Sequence, residues 1–297
     1  MSTACAGGRY RWLRVLFGLL PAFALGRADP AGDFDAARRL YETRRYSDAR
    51  SSFEQLATTV PGHPEVDFYL GRLELWFDDG AAALARLERA VQLRPREARL
   101  HNALGDAYGL AAQNAAIWAK LGWAKKCLAA YERAVELEPD NPAFRWSLVG
   151  YHCMAPALAG GSRMKALAQA EAIRRLDGMG GRIAFATLHL AEKNADAAFA
   201  QFDDAIRERP DDFLTLYHIG RCAALSGKQL DRGLAALERC LSLSPPAGDG
   251  MPTRASVLYR RANILERKGD AAGARVAYAA AEAEDRDFRP AKMALKN

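Results

Sequence analysis

His152-Cys153 is where chemistry would first be sought in this 297-residue chain, because an imidazole beside a thiol can activate a nucleophile or begin a metal site. On a helix, however, adjacent positions point about 100° apart and do not face each other. No third ligand is spaced to join the pair. His63, His101, His189 and His218 are scattered and read as local hydrogen-bonding groups. A phosphate loop, a Gly-x-Ser-x-Gly elbow, a His-Glu-x-x-His pair and Cys-x-x-Cys motifs are absent from the sequence. These residue types therefore point away from catalysis, and they call for neither metal nor cofactor.

Binding is the other chemistry the residue types offer, and its site depends on the elements that hold the side chains. Pro61 and Pro95 lie 34 residues apart; Ala37, Gly71 and Gly105 repeat that interval, as do Ala186 and Gly220. A small residue, then an aromatic or leucine, then a proline recurs in Ala49-Arg-Ser-Ser-Phe53 to Pro61 and in Cys127-Leu-Ala-Ala-Tyr131-Glu-Arg-Ala134 to Pro139. It returns in Ala198-Phe-Ala-Gln-Phe202-Asp-Asp-Ala205 to Pro210 and in Leu237-Glu-Arg-Cys240 to Pro245. Small residues let helices approach, the large residue fills the space between them, and proline cannot continue a helix. Seven helix pairs are predicted near 30–63, 64–97, 98–141, 142–178, 179–212, 213–247 and 254–287, with Arg289 to Asn297 as a capping helix.

This pattern resembles the tetratricopeptide-repeat family from about Asp29 to Phe288. The resemblance implies an all-α, right-handed superhelical solenoid whose first helices line a concave face. By the family's register, Phe68, Arg72, Trp76, Asn102, Asp106, Trp146, Tyr217, Arg221, Tyr259 and Asn263 line that groove. Aromatic rings among arginine and asparagine suit a protein or peptide partner. The lysine-and-asparagine arrangement with which some family members hold a terminal carboxylate is not reproduced.

The repeat is broken in three places. Pro95 to Pro139 spans 44 residues, so the hairpin at 98–141 is elongated and carries Trp118 and Trp123 past its neighbours. The insertion 154–162 contains Pro156, Leu158, Gly160 and Gly161, and Ser162 can cap the next helix. Segment 245–253, rich in proline and glycine, is a linker. Both insertions fall at one edge, where Trp118, Trp123, Pro156, Leu158, Gly160 and Gly161 form a second candidate site. The combination is similar to a subclass of bacterial exported repeat proteins. It is distantly similar to the periplasmic T components of TRAP transporters, which implies an alternative function: solute binding, with a small apolar ligand at that edge.

Residues 1–28 read as an export signal, with Arg9, Arg11 and Arg14 before the apolar run Val15 to Leu25 and with Gly26 and Ala28 before the cleavage point. The run is too short to be an integral membrane span. The remainder, 29–297, is then a solenoid outside the cytoplasm, periplasmic in a Gram-negative cell. Without residues 1–28 the formal charge of +6 falls to about +2, with 38 basic against 36 acidic residues. The basic residues alternate with acids, a pattern that disfavours nucleic acid as partner. In an oxidising compartment Cys127 and Cys153, each thirteen residues from Asp140, sit level on antiparallel helices, where a disulfide is allowed. Cys222 and Cys240 are offset by about 12 Å and are predicted to be free thiols.

Overall fold

A computed structural model describes residues 30–248 and 250–296, so the segment 1–28, expected to be an export signal, lies outside the described residues. The chain folds into fifteen α-helices among the described residues, stacked as seven antiparallel pairs and a terminal helix. The pairs are α1 (Pro30–Glu42) with α2 (Tyr46–Thr59), α3 (Pro64–Trp76) with α4 (Gly80–Leu93), and α5 (Ala98–Asn114) with α6 (Ile117–Leu137). Next come α7 (Pro142–Met154) with α8 (Arg163–Leu176) and α9 (Gly178–Ala191) with α10 (Ala195–Glu208). The series closes with α11 (Phe213–Ser226) and α12 (Leu230–Leu241), α13 (Arg254–Arg267) and α14 (Ala271–Glu284), and α15 (Arg289–Lys296).

Local chemistry sets the boundaries. Pro64 and Pro142 occupy the first turn of their helices, where a missing N–H costs nothing. The side chains of Asp79, Asn141, Ser162, Asp177, Asn194, Asp212, Thr253 and Asp270 each accept a hydrogen bond from a first-turn amide. Within the pairs, Gly71 faces Leu87, Gly105 faces the Tyr131 ring and Gly220 faces Leu237, so each glycine admits the partner helix's large side chain. Charge enters the core between α3 and α4. Asp67 and Glu74, both buried on α3, meet Arg86 and Arg89 of α4 and Arg50 of α2; Arg89 Nε donates to Asp67 Oδ2 at 2.7 Å. Burial raises the Glu74 pKa, against the pull of Arg50 and Arg86.

The α5–α6 hairpin is longer than the other pairs. α5 has 17 residues and α6 has 21, against 12 to 14 in the other paired helices. The chain turns at Ala115 and Ala116, both extended, between two helices that overrun their neighbours. The 154–162 insertion forms a short 3-10 turn, Ala157–Ala159, which ends in the left-handed Gly160 (φ 89°). A Cβ on Gly161 would overlap the Ala155 carbonyl, so this position requires glycine.

The two ends of the stack meet. The Trp76 indole donates to the Asp287 carbonyl at 3.0 Å, and Arg289 donates to the Trp76 carbonyl and, at 3.0 Å, to Asp78. Ser47 donates through its amide and hydroxyl to the Asp287 carboxylate, at 2.9 and 2.6 Å. Arg44 reaches the Met251 carbonyl at 2.9 Å. The solenoid is thereby drawn round until its first two pairs touch the last helix and the 245–253 segment.

Candidate functional site

The concave residues divide into those absorbed by packing and those that line a cavity. Phe68 is buried against the α4–α5 core, with the Arg99 guanidinium 4.6 Å over its ring. Tyr217 is buried beside His218, and Trp146 packs against the α7–α8–α9 cluster. Tyr259 meets Tyr278 and Phe288, while Asn263 donates to the Tyr278 hydroxyl at 2.7 Å. Arg221 donates to the Thr187 hydroxyl at 3.4 Å, and burial, then Arg260, lowers its pKa. Asn102 has a buried Oδ1 with no hydrogen-bond partner among the described residues.

Arg72, Trp76 and Asp106 come together on an inner cavity of about 510 Å³, with Tyr41, Arg44, Tyr46, Tyr131 and Gly250. Asp106 accepts a hydrogen bond from the Tyr131 hydroxyl at 2.7 Å, and burial raises its pKa against the opposing pull of Tyr131 and Arg72. The same Asp106, with Gly109, Gln113 and Tyr131, also borders a second cavity of about 730 Å³. This outer cavity runs between α5, α6 and α7 to the insertion edge, and its walls are mainly Ile117, Leu121, Met154, Pro156, Leu158 and Ala159. Its size and lining suit a binding pocket: apolar walls with a few polar groups at fixed places.

At the edge, Pro156 and Leu158 line the outer cavity as the candidate site requires. The other edge residues stand elsewhere. Trp123 turns away to Tyr108 and Lys126, Trp118 points into solvent, and Gly160 and Gly161 shape the turn behind the wall. The turn is held by Tyr151, whose hydroxyl lies 2.6 Å from the Ala159 carbonyl and 2.9 Å from that of Ala124, and by His152 Nδ1, 3.1 Å from the Gly160 carbonyl.

The Cys127–Cys153 bridge is not formed; both are free thiols, as are Cys222 and Cys240. Level placement along two helices was a necessary condition, but Cys127 turns toward Gly109 of α5 and into the α6–α7 core. Burial pushes the Cys127 and Cys240 thiols up to about 12, far from a reactive thiolate.

Sequence reasoning missed Gly150, Ile117 and Met154. Gly150 holds the groove position filled by Arg72, Asp106 and Arg221 in other pairs, and a Cβ there would meet nothing within 4 Å. The missing side chain is what leaves the outer cavity open, and it was visible as a gap in the groove register.

Comparison with known proteins bears on the fold. Residues 40–107 match the Tetratricopeptide repeat family model. None of the curated proteins matches the sequence. Among solved structures, a thermophilic TPR protein of Thermus thermophilus is similar at 23% identity, covering 71% of this chain and 99% of its own, with a TM-score of 0.54. A tetratricopeptide repeat protein of Parabacteroides merdae is similar at 16% identity over 90% of this chain and 97% of its own, with a TM-score of 0.56. Among the described residues no helix is long and apolar enough to cross a membrane. The fold is the all-helical solenoid of tetratricopeptide-repeat proteins, and within it residues 40–107 match the repeat family itself.

Proposed function

We propose that the chain is a non-catalytic scaffold of the cell envelope that binds a protein or peptide partner at the junction of the third and fourth helix pairs. The observation that carries the reading is an apolar rim around an apolar cavity. Ile117, Met154 and Leu158, which are 79%, 81% and 76% exposed, ring the outer cavity at the projecting edge. Large apolar side chains gathered at one mouth mark an interaction surface more than scattered ones do. The expected groove partner keeps part of its site, because the outer cavity borders the concave inner cavity along Asp106, Gly109, Gln113 and Tyr131. Support for a non-catalytic role comes from the thiols of Cys127 and Cys240, both held in the inert range. The envelope location rests on residues 1–28 and is checked by fusing them to a reporter that is active only after export.

The binding role is tested by placing a photo-crosslinking amino acid at Leu158 or Met154 in the native host, with Val276 on α14, 69% exposed, as the comparison site. One protein crosslinked from both edge positions and not from Val276 is the expected result. The same species from all three positions, or none from the edge, refutes the reading.

A further inference from the structure

We infer that the outer cavity receives an extended segment of a partner protein whose apolar side chains fill it and whose lysine or arginine reaches Asp106. The inference rests on the scaffold reading and specifies the chemistry of the partner.

Three observations carry it. Asp106 is a carboxylate without a paired cation: its Oδ1 takes the Tyr131 proton, it forms no ion pair among the described residues, and its side chain stays open to the cavities. Arg72, the cation that acts on it through space, lines the inner cavity and not the outer one. A carboxylate that is open to the cavity, has one hydrogen bond and forms no ion pair among the described residues favours an incoming basic group.

The second observation is the shape. α6 runs along the cavity from Ile117 at the mouth to Tyr131 beside Asp106, about 21 Å at helical rise. An extended peptide of roughly six residues spans that length. Gly109, Ala112, Ala124, Ser147 and Gly150 keep the walls low along the way.

The third is the rim. A small molecule in the cavity would cover only the inward faces of Ile117, Met154 and Leu158, whereas a chain that continues past the mouth also covers their outer faces. Lys120 also borders the cavity, is exposed and makes no ion pair among the described residues, so an acidic residue near the mouth complements it. The partner segment therefore reads basic at its inner end, apolar through the middle and tolerant of acid at its outer end.

The test is a display library of random peptides, about twelve residues long, selected on the wild-type protein and counter-selected on Gly150→Phe. That substitution places a ring in the open space without meeting a neighbour at Cβ, and an unchanged helical spectrum and melting temperature show that it folds. Enriched peptides are expected to carry lysine or arginine beside Leu, Ile, Phe or Met and to bind Gly150→Phe at least about tenfold more weakly. On Asp106→Asn the preference for lysine over glutamine in a resynthesised peptide is expected to disappear. Enrichment without basic residues, equal binding to Gly150→Phe, or no enrichment at all overturns the inference. So does dodecylamine binding that Gly150→Phe abolishes while no peptide is enriched, since the cavity then takes a small amphiphile. If crosslinking from Leu158 still captures one protein in any of those cases, the scaffold reading stands and only the assignment of the partner's chemistry falls.

Discussion

Two glycines in first helices occupy opposite environments, and the same substitution should act on them with opposite sign. A Cβ on Gly220 would overlap the fully buried Leu237, which has no room to retreat, so Gly220→Ala is expected to cost about 1–3 kcal/mol. Gly150 has open space around its Cβ position, so Gly150→Ala should gain about 0.5–1 kcal/mol from the lower entropy of the unfolded chain. Urea denaturation of both variants reads the difference, and a shared sign would mean that one of the two environments is misdescribed. The Gly220 crossing was legible because the 34-residue interval marks it; the Gly150 vacancy has the same residue type with the opposite meaning. His218 gives the clearest signal of pH dependence. Burial first, then Arg221 and Arg260, lowers its pKa from 6.5 to about 3, and its ring stacks on Phe202. The unfolded chain takes up this proton near 6.5 and the folded chain does not until about 3. Stability is therefore complete above 6.5 and falls as the pH drops through that window, by at most about 1.4 kcal/mol per unit. Glu74 and Asp106, whose pKa values are raised, act in the opposite direction, so the quantity to measure is wild type minus His218→Gln. That difference should slope between pH 6.5 and 3; a flat difference would place His218 in contact with water.

At the scale of elements, the 155–162 turn forms one wall of the outer cavity, and a single hydroxyl anchors it. Tyr151 is buried in α7, and its hydroxyl, within reach of the Ala124 carbonyl on α6, lies closer to the Ala159 carbonyl in the turn. Tyr151→Phe removes the donor and leaves a buried carbonyl without a partner, at a cost of about 1–3 kcal/mol. The amides of Ala159, Gly160 and Gly161, which bond only within the turn, should then exchange with solvent faster than those of α7. Unchanged exchange there would show that Gly161 and its contact with Ala155 suffice to hold the turn. The helix pairs were readable from the sequence almost to the residue, because prolines and capping side chains mark each start and small residues mark each crossing. The edge was half readable. Periodicity reveals that α5 and α6 are too long, but not which way their surplus side chains turn. Trp118 and Trp123, the most conspicuous residues of the insertion, therefore proved peripheral, while Ile117, one position away from Trp118, lines the cavity.

At the scale of the molecule, the seam between the ends has no counterpart in the repeat pattern. In a solenoid each unit touches its neighbours, and its curvature is the sum of small rotations between them. Nothing in a 34-residue period says whether those rotations bring the last helix back to the first pairs. Here they do, and Trp76, expected in the groove, lines the inner cavity while its indole bonds to the Asp287 carbonyl at the seam. The contacts are few and polar: Arg289 on the Trp76 carbonyl and Asp78, Asp287 on Ser47, Arg44 on the Met251 carbonyl. Half-exposed polar bonds of this kind contribute about 0.5–1.5 kcal/mol each, little beside the apolar cores of the pairs. Cutting them should therefore change the shape before it changes the stability. The double variant Asp287→Ala, Arg289→Ala removes the side-chain bonds to Ser47, Trp76 and Asp78 and keeps every helix pair intact. Small-angle scattering should then show a larger radius of gyration and a longer maximum dimension, with the helical circular dichroism of the wild type. High salt should move the wild type part of the way in the same direction, since it screens the Arg289–Asp78 pair. A scattering curve that superimposes on the wild type would mean that the stacking of the pairs alone brings the ends together, with the seam a consequence of the curvature. An expanded curve would make Asp287 and Arg289 the residues that close the ring around the inner cavity, and hence the ones that set how far a partner can advance past Asp106.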